Sequence, residues 1–122
     1  MTRTLLRCKL HGATVTEADP AYEGSIAIDA DLIAAAYLAP FERVLVANVT
    51  NGQRFETYVI SAPAGSGRIG LNGAAARLGV PGDRVIVMAW ATLEASELPG
   101  FRPRIVLLGP GNTVTEVRRP EA

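Results

Sequence analysis

With 122 residues, 48% of them hydrophobic, the chain has the length and apolar content of one domain with a real core. Twelve basic and twelve acidic residues cancel, which leaves no net charge to hold nucleic acid or an anionic membrane surface. A single cysteine, Cys8, cannot form an internal disulfide, and no apolar run resembles a signal peptide or approaches the roughly 20 residues of a membrane span, so the chain reads as cytoplasmic.

In chain order, residues 4–17 (TLLRCKLHGATVTE) predict two strands meeting near His11-Gly12. The acidic stretch DPAYEG leads into a short strand over Ser25–Ile28. DADLIAAAYL carries apolar residues at helical spacing, with Asp29 as N-cap, and predicts a helix. ERVLVANV predicts a strand, Asn51-Gly52 a hairpin turn, and RFETYVISA the returning strand. RIGLN reads as a further strand, and GAAARLG as a short helix closed by Gly79 and Pro81. DRVIVMAWATL predicts a long buried strand and RPRIVLLG one more, while residues 110–122 read as a weakly structured tail. Short strands, two short helices and frequent Gly and Pro, without a βαβ repeat, predict a mainly β fold. It is one small closed barrel spanning residues 1–122.

GSGRIG, residues 65–70, matches the Gly-x-Gly-x-x-Gly of dinucleotide sites. That fingerprint needs its third glycine to open a helix. Here Gly70 runs into LNG, and a loop entering a strand is the better reading. Metal ligation lacks donors, because the lone His11 and the lone Cys8 lie three apart on a strand and face opposite ways. The same histidine would have to be the base of any Ser-His-Asp set. Polar residues repeated on strand faces are more informative. Lys9, the only lysine, and His11 are two apart, and Arg54 and Tyr58 are four apart, so each pair shares a face. For any one of them an exposed polar face is the simpler explanation. Together, two cations and a phenol suit a small dicarboxylate, which arginine grips bidentately. LNGAAARLG adds Asn72 and a helix start where the N–H groups of Gly73, Ala74 and Ala75 lack intrahelical partners. It is either a carboxylate cradle or an ordinary capped helix.

The pieces RTLLRCKLH, ATVTEAD, YEGSIAID, NVTNGQRFETY and LNGAAARL run in this order over residues 3–108. They resemble the pyruvoyl-dependent aspartate 1-decarboxylases of bacteria. The resemblance implies a double-psi β-barrel with short helices, assembled as a homotetramer. It implies a proenzyme that cuts itself between Gly24 and Ser25, with or without a maturation factor as partner. Ser25 then becomes a covalently bound pyruvoyl group that forms a Schiff base with the substrate, with no metal and no PLP. The implied reaction takes L-aspartate to β-alanine and carbon dioxide, supplying pantothenate and coenzyme A synthesis. Carried onto these motifs, Tyr58 is the proton donor, and Thr57 assists both maturation and substrate binding. Lys9, Arg54, Asn72, Gly73, Ala74 and Ala75 bind substrate, and His11 and Tyr22 line the site.

Self-cleavage asks the Ser25 hydroxyl to attack the carbonyl carbon of Gly24. The amide becomes an ester, the ester eliminates, and the dehydroalanine hydrolyses to a ketone. Glycine suits this place because it lacks Cβ and accepts strained backbone. Thr57 is a candidate donor to that carbonyl, yet strict alternation puts it opposite Arg54 and Tyr58. Either a bulge re-aims it or it approaches from another side. Tight binding of the departing carboxylate would stabilise the ground state, so Arg54 is expected on the side-chain carboxylate that is retained. Two other readings stay open: a non-enzymatic barrel with Gly24-Ser25 intact, serving as a binding or regulatory module, and a nucleotide-binding protein using GSGRIG.

Overall fold

In the computed structural model, which describes residues 1–121, the apolar–polar alternation becomes nine strands in one mixed sheet. These are β1 (Thr2–Thr14), β2 (Glu17–Asp19), β3 (Ser25–Asp29), β4 (Arg43–Asn48), β5 (Arg54–Ala62), β6 (Ile69–Asn72), β7 (Arg84–Glu94), β8 (Arg104–Gly109) and β9 (Thr113–Arg118). Their order is β2-β6-β3-β5-β4-β7-β1-β8-β9. The pairs β1–β8, β2–β6 and β3–β5 are parallel, so the connections cross the sheet rather than meander. The architecture is a small β-barrel, the expected fold class. Alternate residues such as Leu10, Ile26, Ile28, Val44, Val46, Val59, Val85 and Val87 point into one core and are fully buried. Each such side chain contributes about 1.5–3 kcal/mol of burial free energy.

The one α-helix among the described residues, α1 (Ala30–Ala36), forms where the spacing predicted it. Asp29 caps it by accepting the Asp31 N–H at 2.8 Å, and Leu32, Ile33 and Ala36 pack inward. It stops at Tyr37, which takes a left-handed conformation (φ 59°). GAAARLG forms a tighter 3-10 turn over Gly73–Arg77 rather than an α-helix. Its opening glycine is itself left-handed, at φ +65°.

Three expectations change. Residues 4–17 do not fold as two strands meeting at Gly12. β1 runs straight through, and Gly12 (φ +81°) sits at a register shift between His11 and Ala13. A bulge absorbs the positive φ without reversing the chain, so β1 keeps pairing with β7 on both sides of it. The strand 84–94 is buried only in its first half; from Trp90 onward it is exposed or half-buried. The tail is not weakly structured throughout: Pro110–Asn112 makes a 3-10 turn, and Thr113–Arg118 is β9, paired antiparallel to β8. Ala122 lies outside the described residues.

The glycine-rich loop has a structural occupant. Gly65 N–H donates to Asp29 Oδ1 (3.0 Å) and Gly67 N–H to Asp29 Oδ2 (2.8 Å). Asn112, buried, ties the same loop to β1. Its Oδ1 accepts from Thr14 N–H at 2.8 Å, and its Nδ2 donates to the Thr14 and Gly67 carbonyls at 2.9 and 2.8 Å. Burial pushes the Asp29 pKa up, but the N–H groups of Gly67, Asp31 and Gly65 outweigh it and hold the carboxyl below the ordinary aspartate range.

Asp29→Asn removes the acceptor for one loop N–H and should lower stability by about 1–3 kcal/mol at neutral pH. A folded-state pKa below the unfolded one means that this contribution is complete above pH about 4 and is lost as pH falls through the lowered value. Urea denaturation of the two proteins should therefore show a deficit at pH 7 that narrows in acid. A deficit constant down to pH about 3 contradicts the assignment.

Candidate active site

Ser25 opens β3, a strand buried along its whole length, and is itself only 1% exposed. The antiparallel β3–β6 register sets it opposite Asn72, whose Nδ2 donates to Ser25 Oγ at 3.1 Å. The hydroxyl donates in turn to the Glu23 carbonyl at 3.4 Å. Asn72 stands at the N-cap of the 3-10 turn but makes no side-chain cap there. Gly73 presses on Gly24: a Cβ built on Gly73 would lie 2.6 Å from Gly24 Cα, 2.7 Å from Gly24 N and 3.1 Å from the Tyr22 carbonyl. Positive φ and this approach both demand glycine at 73.

On the other side of β3, the parallel register pairs Ile26 with Val59. Carried back one step, to the head of β3, it sets Ser25 beside Tyr58, and Gly24 lies in the bend that precedes the strand. The β4–β5 pairing runs unbroken through Thr57, which pairs with Val44, so no bulge re-aims it. Thr57 stays half-buried on the face of Val59, opposite Tyr58. Tyr58 is 38% exposed, and the Phe41 ring lies against it, with centroids 6.5 Å apart. Phe41 was not singled out in the sequence. Its φ of 71° and its N–H bond to the Val59 carbonyl (2.7 Å) hold it there, and neither leaves a sequence signal beyond the preceding Pro40.

Arg54, Glu56 and Tyr58 share the outward face of β5. Glu56 is taken up by Arg43, whose hydrogen bond holds the Glu56 carboxyl below its usual range. That leaves Arg54 without a carboxylate partner among the described residues. Four residues along a strand separate Arg54 from Tyr58, about 13 Å, a span its long side chain must partly bridge.

Lys9 and His11 are not brought to Ser25 within one chain. Cross-strand rows run Lys9–Met88–Leu45–Glu56 and His11–Ile86–Ala47–Arg54. Three strand spacings, about 14 Å, separate β1 from β5. Partial burial, then the charges of Lys9, Arg84 and Arg118, lower the His11 pKa and favour the neutral ring. Tyr22 is exposed on a turn pinned by Asp19, which accepts the Ala21 N–H at 3.0 Å. Ala74 is exposed beside Gly73, and Ala75 is buried beneath it. Among the described residues, no three His, Cys, Asp or Glu side chains cluster as metal ligands.

A family model described as aspartate decarboxylase matches residues 1–115. Curated relatives are similar over nearly their whole length. The aspartate 1-decarboxylase of Methylibium petroleiphilum is 54% identical over 98% of this chain and 99% of its own. That of Maricaulis maris is 52% identical over 100% and 99%. That of Ralstonia nicotianae is 49% identical over 97% and 98%.

Gly73→Ala should cost more than about 2 kcal/mol, from left-handed strain together with the clash on Gly24. The urea midpoint measures it. An unchanged midpoint would show that the Gly73 corner is free to move away from Gly24.

Proposed function

Because the chain belongs to the aspartate decarboxylase family, we propose that it converts L-aspartate to β-alanine and carbon dioxide, as its relatives' name describes, on a pyruvoyl group that it makes from its own Ser25. The observation that carries this reading is the Gly24-Ser25 junction. The Gly73 corner closes tightly on Gly24, and the Ser25 hydroxyl is buried and held by Asn72 at the head of a fully paired strand. The product would feed pantothenate and coenzyme A synthesis in the cytoplasm.

Maturation begins when Ser25 Oγ attacks the Gly24 carbonyl carbon, the C–N bond breaks, and the hydroxyl proton passes to the freed amine. Loss of the Ser25 Cα proton expels the Gly24 carboxylate. Water then replaces the nitrogen, which leaves as ammonia. Thr57, half-buried on β5, is the proposed donor to the carbonyl oxygen as charge develops. The residues suit the product: β3 stays paired to β5 and β6 after the cut, so the new end remains anchored. Asn72 Nδ2, on Ser25 Oγ before cleavage, is freed as a donor once that oxygen leaves with the Gly24 carboxylate.

When formed, the pyruvoyl group supplies an electron sink that takes up the substrate amine and the electron pair left by the departing carboxylate. Tyr58, beside residue 25 in register, delivers a proton to the substrate Cα. Phe41 packs against its ring and limits its swing. Arg54, its neighbouring Glu56 neutralised by Arg43, holds the retained side-chain carboxylate. Gly73, Ala74 and Ala75 offer short side chains and backbone N–H groups around the substrate, with Tyr22 at the rim. Lys9 and His11 join the site from a second copy in a homotetramer. The half-buried outer row of Leu45, Ile86, Met88 and Ile105, which surrounds them, supplies an apolar contact face.

Denaturing mass spectrometry should resolve a 24-residue and a 98-residue piece (122 − 24 = 98). Ser25→Ala should abolish cleavage and turnover together. A chain that stays whole and does not turn over aspartate, alone or with cell extract, favours the binding-module reading; cutting only with extract indicates a maturation factor. Tyr58→Phe should leave cleavage intact and lower kcat by about 10²–10⁴-fold. Arg54→Gln should lower kcat/KM for aspartate by about 10²-fold through a lost charge-assisted pair. A complex with a substrate analogue showing Arg54 on the α-carboxylate contradicts the assigned role.

A further inference from the structure

On the α1 side of the barrel, a cavity of about 290 Å³ gathers four arginines, Arg7, Arg102, Arg104 and Arg119, in a chain whose net charge is zero. Tyr37 and Phe101 supply aromatic wall. The guanidinium groups are held in place rather than left to drift. Arg7 Nη1 donates to the Tyr37 carbonyl (2.8 Å) and pairs with Glu42. Arg104 lies 4.0 Å over the Tyr37 ring and donates to the Ala35 carbonyl at the end of α1. Arg119 donates to the Arg102 carbonyl (3.3 Å), and Arg102 pairs with Glu121.

Two carboxylates thus face four guanidinium groups, and Arg104 and Arg119 have no carboxylate partner among the described residues. Arginine cannot relieve the repulsion by losing a proton. An anion can, and planar forks bind oxyanions bidentately. Neither Ser25, Arg54 nor Tyr58 lines the cavity. We propose that this cavity is a binding site for a phosphate-type oxyanion, either free pyrophosphate or the diphosphate of a small nucleotide.

Calorimetric titration of the full chain with sodium pyrophosphate, and separately with ADP, at matched ionic strength tests this. Saturable binding of one anion per chain is expected. Arg104→Gln with Arg119→Gln should weaken it at least tenfold while anion-free aspartate turnover stays unchanged. If the pair disturbs folding, Arg119→Gln alone, on the exposed end of the chain, should still weaken binding several-fold. Arg54→Gln should leave it intact. Equal affinity for the two ligands identifies inorganic phosphate chemistry as sufficient; tighter ADP binding adds recognition of the nucleoside. Heats indistinguishable from sodium chloride, binding that survives both arginine changes, or binding lost with Arg54→Gln would overturn the proposal.

Discussion

The close approach of Gly73 to Gly24 is the constraint around which the site is arranged. A side chain on residue 73 would collide with the Gly24 backbone. β6 must therefore end at Asn72 and turn at once through a left-handed glycine, which aims the Asn72 amide at Ser25 instead of at the turn it precedes. β3 supplies the other half of the constraint. It is held on one edge by β6 and on the other by β5, so a residue at its head is positioned by two ladders. Chemistry that breaks the chain just before Ser25 leaves both ladders standing.

Charge is distributed to the same end. Glu56 with Arg43, Glu17 with Arg68 and Glu42 with Arg7 form local pairs on the barrel surface. Such exposed pairs add little stability. The first of them also occupies the carboxylate that shares a face with Arg54, which leaves Arg54 able to receive an anion. The basic cavity beside α1 follows the same logic on another face, with more cations than the local glutamates can match.

The strands were legible because alternation survives in the sequence. RFETYVISA became β5 residue for residue, and Asp29 capped α1 as its position indicated. What failed was local. Gly12 looked like a turn because a bulge and a turn both need positive φ, and only pairing partners separate them. β9 was missed because Thr113–Arg118 is exposed throughout and carries no inward-facing pattern. GSGRIG is the loop entering β6 that its pattern favoured; what the sequence hides is that Asp29, 36 and 38 residues away, takes its N–H groups. The motifs pointed to Ser25, Asn72, Gly73 and Tyr58, which the strand register gathers at the head of β3. Phe41 escaped them, since its contact with Tyr58 depends on a left-handed backbone at a non-glycine residue.

The central claim is that residue 25 ends as a ketone and not as a serine. Borohydride reduction of the purified protein, followed by peptide mass analysis of the fragment starting at position 25, tests it most directly. The account predicts a blocked N-terminus that gains one pair of hydrogen atoms on reduction and loses all aspartate turnover with it. An N-terminal serine with a free amine, or full turnover by a chain still intact through Gly24-Ser25, would contradict it.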